Sequence, residues 1–313
     1  MRKVENIFEI NSIESKLEYI KSVAPSVFER VQSELTEGDA VADFRNRLIV
    51  SKAVFEAFES SGKEAIITTD IYDVPAIQHY LTKGTAAHID GKYKVVDSGC
   101  FTHCSSLETI VFDDGVECIK ESVLCDNTLI KNITFPKTVN YIGNDAFRNC
   151  ENLSEVVFLN PNTWISPDAF EGTKWFSQFT EDFVVVNGQL LKYNGNNEDI
   201  IIPEGTIHIS HQVFNENQNI KSVTCPSTLE GIWTYSFADC PNLNKIVFND
   251  NLSMICISAF EDCAKLTEVY LPKKLKDLGA MAFNRKTIIH FYDTDKELTK
   301  HIKEAYPHHI IIE

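Results

Sequence analysis

The sequence has no uninterrupted apolar run of about 18 residues, which excludes a membrane-spanning helix as its organising element. Its opening, MRKVENIFEINSIESK, begins with charge but continues into neither an apolar core segment nor a small-residue cleavage site, so no secretory leader is expected in the sequence as written. Positive charge is scarce: 29 lysines and arginines stand against 45 carboxylates, a formal net charge of -16. A surface of that sign repels phosphate backbones and anionic lipid, so neither nucleic acid nor membrane insertion is expected. The 13 glycines never gather into GxGxxG or a P-loop, and neither GxSxG nor HExxH occurs. No cofactor is expected, and no nucleophile or acid-base constellation argues for an enzyme.

Cysteine and phenylalanine are abundant instead, with 9 and 20 copies. Nine is an odd number, and the spacing forms neither CxxC pairs nor a compact secreted framework, so reduced thiols in a cytoplasm are expected. A hydrophobic content of 43% over 313 residues supplies a sizeable core.

The stretch AFRNCENLSEVVF, residues 146–158, shows how that core is arranged. Stepping by 23 from Phe147 reaches Phe101, Leu124 and Phe170, and after a gap Phe214, Phe237, Phe260 and Phe283. Three residues after each anchor stand small or weakly polar groups, among them Cys104, Asn127, Cys150, Thr173, Asn217, Cys240 and Cys263, with Lys286 in the last copy. The sixth position is apolar, from Leu107 and Ile130 through Leu243 and Leu266 to Ile289. The ninth and eleventh form V-x-F pairs such as Ile110 and Phe112 or Val156 and Phe158. The unit reads LxxVxFPxxLxxIxxxAFxxC. A short strand with apolar side chains inward at period two, followed by a turn and a convex segment, is the logic of a leucine-rich repeat. One such unit is too small to persist alone, so neighbours must stack and the ends must be capped. The cysteine is then a small buried hydrophobe, at a place where Asn in sister rungs bonds loop backbone.

Phe170 to Phe214 spans 44 residues and therefore interrupts the phase. Within the interruption, FVVVNGQLLKY (183–193) sets Asn187-Gly188 between two apolar runs, a hairpin signal. The hairpin insertion is placed near 174–199, with Trp175, Phe176, Phe179 and Phe183 as its packing foot. Residues 1–91 carry no copy of the unit and follow helical spacing. A capping box at Asn11 and Glu14 precedes one helix, Pro25 starts a second through Val31, a third covers Val41 to Phe58, and a fourth runs from Asp73 to Gly84. The expected domains are a helical capping or docking domain, 1–91, and a solenoid, 92–313. A cap at 293–313 closes the solenoid, its helix starting among Asp293, Asp295 and Glu297.

Several clusters can be read as chemistry. Cys100, His103, Cys104 and Cys118 do not have the spacing of a zinc ligand set, and Cys104 belongs to the structural ladder. His208 with His211 and His308 with His309 read as surface or strand-end histidines. Asp113-Asp114-Gly115 and Asn249-Asp250-Asn251 fall at the turn after a strand, where such residues are expected for backbone reasons. Asn132, Asn152 and Asn251 lie in NxS/T sequons, which matter only on export from a eukaryotic cell.

The segments IGNDAFRNCENLSEVVFLN and ISAFEDCAKLTEVYLP closely resemble the BspA-like leucine-rich repeats, also called the Treponema pallidum type, over roughly residues 92–292. The resemblance implies an α/β fold: a right-handed leucine-rich-repeat solenoid, or horseshoe, with a parallel sheet, here with a β-hairpin insertion and a small helical N-terminal domain. It also implies adhesion or protein binding without catalysis, and display at the cell surface or secretion, in contrast to the cytoplasmic expectation above. The outward strand positions are then the binding candidates. One stripe is Thr109, Asn132, Glu155, Ser222, Lys245 and Glu268; the other is Val111, Thr134, Val157, Thr224, Val247 and Tyr270. A second possibility makes the N-terminal domain the oligomerisation or docking unit and the repeats a spacer.

Overall fold

A computed structural model of the 313-residue chain describes residues 4–6, 13–34, 64–66, 86–89, 91, 94–102, 106–291, 300, 303–304, 306 and 311–312. The chain divides into two compact units, Met1–Gln178 and Phe179–Glu313, so the division falls at the start of the hairpin insertion.

In the first unit, helix α1 (Ile13–Val23) and helix α2 (Pro25–Glu34) follow one another with only Ala24 between them. Proline is tolerated at the first helical position because that amide would be unpaired anyway. Ile20 and Val31 are buried. The cap residue Asn11, both later helices and the start of the C-terminal helix lie outside the described residues. The N-terminal region is not purely helical, since Val4–Asn6 pairs in parallel with Glu64–Ile66. The stack also begins before residue 92: Ala86–Ile89 pairs in register with Thr109–Phe112, one rung of 23 residues away. Ala87 and Ile89 point inward there. The small alanine hides the V-x-F signature from a sequence search.

Each rung contributes two strands rather than one. The longer strands form parallel pairs, Ala86–Ile89 with Thr109–Phe112 and Asn132–Phe135 with Glu155–Phe158. Two-residue strands at the Ile position, Val95–Val96, Cys118–Ile119, Tyr141–Ile142 and Trp164–Ile165, form a second parallel sheet of four. The anchors between them are buried: Phe101, Leu124, Phe147 and Phe170 are at most 1% exposed.

The convex segment that carries each anchor is a tight turn, not a helix, because its amides point to the next rung. Phe101, Leu124 and Phe147 donate to the carbonyls of Val123, Ala146 and Ala169 at 2.7–2.8 Å. Residues two before and two after an anchor adopt positive φ, including Ser122, Asp126, Asp145 and Asn149 at 54–63°. That conformation is costly for a residue with a Cβ, and it persists where the surroundings over-determine it. Here the compensation is visible: Ser122, Asp126 and Asn149 donate to the carbonyls of Asn144, Arg148 and Glu171 at 2.8–2.9 Å. Helix α3 (Lys174–Ser177) ends the first stack, with Thr173 as its N-cap. Trp175 packs edge-on to Phe170 at 4.9 Å and lies 6.0 Å from Phe158.

The second unit opens on the expected hairpin, Phe183–Val186 antiparallel to Gln189–Tyr193. Asn187 and Gly188 both have positive φ, 50° and 73°, as a two-residue turn of this type requires. The hairpin does not project: its return strand enters the stack as a rung, with Leu190 opposite Ile209. His208–Ile209, Gly231–Ile232, Met254–Ile255 and Asp277–Leu278 extend that sheet to six strands. The longer strands form two parallel sheets of three, Asp199–Ile201 with Ser222–Thr224 and Lys245–Val247, and Glu268–Tyr270 with Ile288–His290 and Ile311–Ile312. Phe214, Phe237, Phe260 and Phe283 stack nearly parallel, with centroids 4.6–5.3 Å apart. The foot residues divide between units: Trp175 and Phe176 close the first stack, whereas Phe183 packs on Tyr193 at 5.0 Å in the second.

The last step is shorter than the rest. Val269 pairs with Ile289, 20 residues later, so Ile289 holds an inward strand position and not the sixth place after Phe283. Thr287 takes the buried place there and donates to the Leu266 carbonyl at 2.7 Å. Tyr306 closes the stack, 1% exposed, with its hydroxyl accepting from the Ala282 amide at 2.9 Å and donating to the Gly279 carbonyl.

Candidate functional site

Alternation along each strand places the twelve outward residues on the side of the sheet away from the core. In the first stack Asn132 lies opposite Glu155 and Thr134 opposite Val157 in the paired strands. Thr109 and Val111 occupy the same positions one rung earlier, and all six side chains are exposed. In the second stack Ser222 lies opposite Lys245 and Thr224 opposite Val247. Glu268 and Tyr270 follow, and of these six only Ser222 is half-buried. Its hydroxyl donates to Asp199 Oδ1 at 2.5 Å.

The last outward rungs carry an interlocked trio. The Tyr270 ring stacks flat on His290, centroids 4.3 Å apart at 8°. The Tyr270 hydroxyl donates to Glu268 Oε1, and His290 Nε2 lies 3.0 Å from the same oxygen. That hydrogen bond to Glu268 holds the Tyr270 phenol above its ordinary value. The ring is nevertheless 62% exposed, so an apolar plane is held rigid in solvent. Next to it in the same row stand Val247 and, at the far end, Ile201, 74% exposed.

Ile201 and His290 share the outward row but follow no Phe anchor at the usual distance: Ile201 stands 23 before Thr224 in a rung whose anchor place holds Leu191, and His290 stands 20 after Tyr270. Both carry a signal in the sequence: stepping back by 23 from Thr224 reaches Ile201, and re-anchoring on the apolar strand Ile288–His290 reaches His290. His88, opposite Val111 and 23 residues before it, belongs to a first rung with Ala87 and Ile89 in place of V-x-F, and its Nε2 lies 2.7 Å from Asp113 Oδ1.

The other clusters resolve into structure. Among the described residues no group of three potential ligands is placed to hold a metal ion. Cys100 is buried and its thiol is pushed up to about 12 by burial; His103 and Cys104 lie outside the described residues. Burial pushes the Cys150 and Cys225 thiols up to about 12 as well, so none is a ready thiolate nucleophile. The contact with Cys240, and after it burial, pushes the Cys263 thiol up. His208 is half-buried beside Trp233, and burial lowers its pKa; His211 Nδ1 sits 2.7 Å from the Thr234 carbonyl; His308 and His309 lie outside the described residues. Asn249 is a turn stitch: Nδ2 donates to the Pro226 and Leu229 carbonyls, while Oδ1 accepts from the Asn251 and Leu252 amides. Gly115, in the other loop, donates its amide to Thr138 Oγ1 at 2.8 Å.

Comparison with known proteins adds the family. The model of the BspA type leucine rich repeat region matches residues 77–181 and 186–309, in 6 copies. Among solved structures, the chain is similar to the pneumococcal vaccine antigen PcpA at 22% identity and a TM-score of 0.35, covering 66% of this chain and 62% of that one. A leucine rich cell surface protein from Faecalibacterium prausnitzii A2-165 is 20% identical, with a TM-score of 0.32, over 66% of this chain and 73% of that one. The T. pallidum leucine rich repeat protein is 16% identical, with a TM-score of 0.27, over the same shares. No curated protein matches.

Proposed function

The chain belongs to the BspA type leucine-rich repeat family, and from that premise we propose that it is a non-enzymatic protein-interaction module that captures a protein partner on the outward faces of its longer strands. The observation that carries this reading is the row Ile201, Thr224, Val247 and Tyr270: exposed β-branched and aromatic side chains at one-rung spacing, where solvation alone would favour charge. Aromatic anchors on a rigid support contribute strongly to protein interfaces because little side-chain entropy is lost on binding. The Cys150 and Cys225 thiols, pushed up by burial, support the non-enzymatic part. The eight cysteines described are all free, which supports a reducing compartment; thiol trapping in the source cells, finding them oxidised, would remove that support.

The test is charge reversal. E155K together with E268K is expected to weaken capture of a partner from source-cell extract while leaving the thermal midpoint in place, because both side chains are exposed. Unchanged capture rules out these faces. Deleting residues 1–85, which spares the first repeat strand Ala86–Ile89, separates this proposal from a docking role of the N-terminal region, since loss of capture with intact repeat circular dichroism would assign binding to that region.

A further inference from the structure

The chain is acidic as a whole, yet residues 264–291 carry six lysines and arginines against only Glu268 and Asp277. Three of them, Lys273, Lys274 and Lys276, stand on one turn and line an open groove of about 470 Å³ with Asn251, Ser253 and Glu230. This turn edge is distinct from the outward sheet face. Lys265, Arg285 and Lys286 are exposed in the neighbouring turns.

Elsewhere, lysines reach one rung along the stack and meet carboxylates: Lys94 with Glu117, Lys120 with Asp97 and Lys221 with Glu198, at 2.7–2.8 Å. For Lys265 and Lys274 in the last rungs the same 23-residue reach finds neutral amides, whereas the places 23 before Lys273 and Arg285 hold Asp250 and Asp262. Lys265 Nζ donates to Asn242 Oδ1 at 2.6 Å, and Lys274 Nζ to Asn251 Oδ1 at 2.9 Å. The ammonium groups are held in place and their charge is not neutralised by these partners. The one carboxylate lining the groove, Glu230, stands two rungs from Lys276 in its column. Among the described residues Asp277–Leu278 is the edge strand of the six-stranded sheet, and charge there guards against edge-to-edge pairing. Guarding needs charge of either sign, whereas this turn is positive in a chain with an excess of acid.

We propose that the lysine turn of the last rungs is a second docking surface, and that it receives an acidic segment of a partner polypeptide along the groove. With a screening length of about 8 Å in physiological salt, the patch acts on what lies directly over it and not on the acidic remainder of the chain. A flexible acidic peptide can stay within the patch. A duplex polyanion, broader and more highly charged, would press phosphates against Asp250 and Asp277, exposed carboxylates next in the chain to Asn251 and Lys276. The groove supplies Asn251 and Ser253 as further polar partners, although each already bonds backbone one rung away, to Ser227 and Glu230.

The experiment is fluorescence anisotropy with the full chain and a labelled poly-glutamate peptide, alongside a labelled DNA duplex. Saturable peptide binding is expected, weakened at least about tenfold in K273E/K274E/K276E and by raising salt from about 50 to 300 mM. The neutral variant K273Q/K274Q/K276Q is expected to fall between the two, and the exposed positions leave thermal unfolding unchanged. Equal peptide affinity in the wild type and the charge-reversed variant would overturn the proposal. So would absence of peptide binding, or a duplex that binds as tightly as the peptide. None of these results bears on the outward face, whose test uses different residues.

Discussion

The two stacks are built to one template and fill it differently. In the first, aromatic rings occupy both the strand and the anchor positions: Phe135 lies within 5.3–6.3 Å of Phe112, Phe147, Phe158 and Phe170. In the second, the anchors run in single file from Phe214 to Phe283, and the strand position holds Cys225, Phe248 or Leu271. The core is thus filled by interlocked rings in one stack and by a column of parallel anchor rings, with Cys225, Phe248 and Leu271 beside it, in the other. Since each rung leans on its neighbours, the loss of one ring should be felt most where it touches most others.

The third position after the anchor shows a second difference, this time between rungs. Where it is Asn, the side chain serves the loop: Asn127 Oδ1 accepts from the Leu129 and Ile130 amides, and its Nδ2 donates to the Leu107 carbonyl. Asn217 likewise accepts from Asn219 and Ile220. Where it is Cys, the amide three residues on turns to the cysteine's own carbonyl, as Leu153 does at Cys150. The thiol is then left to donate to the anchor carbonyl one rung back, Leu124 for Cys150, Phe214 for Cys240 and Phe237 for Cys263. One buried amide has two solutions, so the position tolerates two chemistries.

The largest expected effect tests the aromatic contrast. F135A should cost about 4–5 kcal/mol and F237A about 3–4 kcal/mol, because truncating a buried ring leaves a cavity and Phe135 also loses more ring partners. Urea unfolding followed by hydrogen exchange, which resolves the stacks separately, measures both; the reverse order would break the comparison. Next, N127A should cost about 2–4 kcal/mol by stranding two amides and a carbonyl, against about 1 kcal/mol for C150A, which loses one weak donor. Equal losses would mean that the loop bonds of Asn127 carry no extra weight.

A smaller effect concerns the end of the second stack. Burial pushes the Tyr306 phenol up to about 12, above its ordinary 10, so the folded state favours the neutral form. Its contribution is complete below pH 10 and declines as pH rises from 10 towards 12, because the unfolded chain ionises first. Alkaline titration of the wild type against Y306F should show a steeper loss in the wild type over that window. Identical slopes would remove the phenol as the cause. The smallest effect expected is on stability in E155K/E268K, within about 0.5 kcal/mol of wild type by thermal unfolding, as for exposed positions away from caps and core.

Much of the fold was legible because burial repeats along the chain. The eight anchors, the V-x-F strands and the Asn187-Gly188 turn follow from side-chain size and backbone preference at fixed spacing, and each stands where the spacing placed it. Outward residues were legible only as alternates of inward ones. His88 and Ile201 keep the 23-residue step and were missed because their rungs lack a V-x-F pair or a Phe anchor, whereas His290 was missed because the shortened last step changes the phase.

By itself the sequence determined the periodic apolar spine, since a residue must be large and apolar wherever every rung buries it. The tertiary structure alone decided where backbone groups without a local partner go. It turned the anchor segments into positive-φ corners bonded to the next rung, drew the hairpin's return strand into the stack at Leu190, and added Ile311–Ile312 beside Ile288–His290. These choices depend on hydrogen-bond donors and acceptors that nearly every residue carries alike, so no side-chain pattern records them.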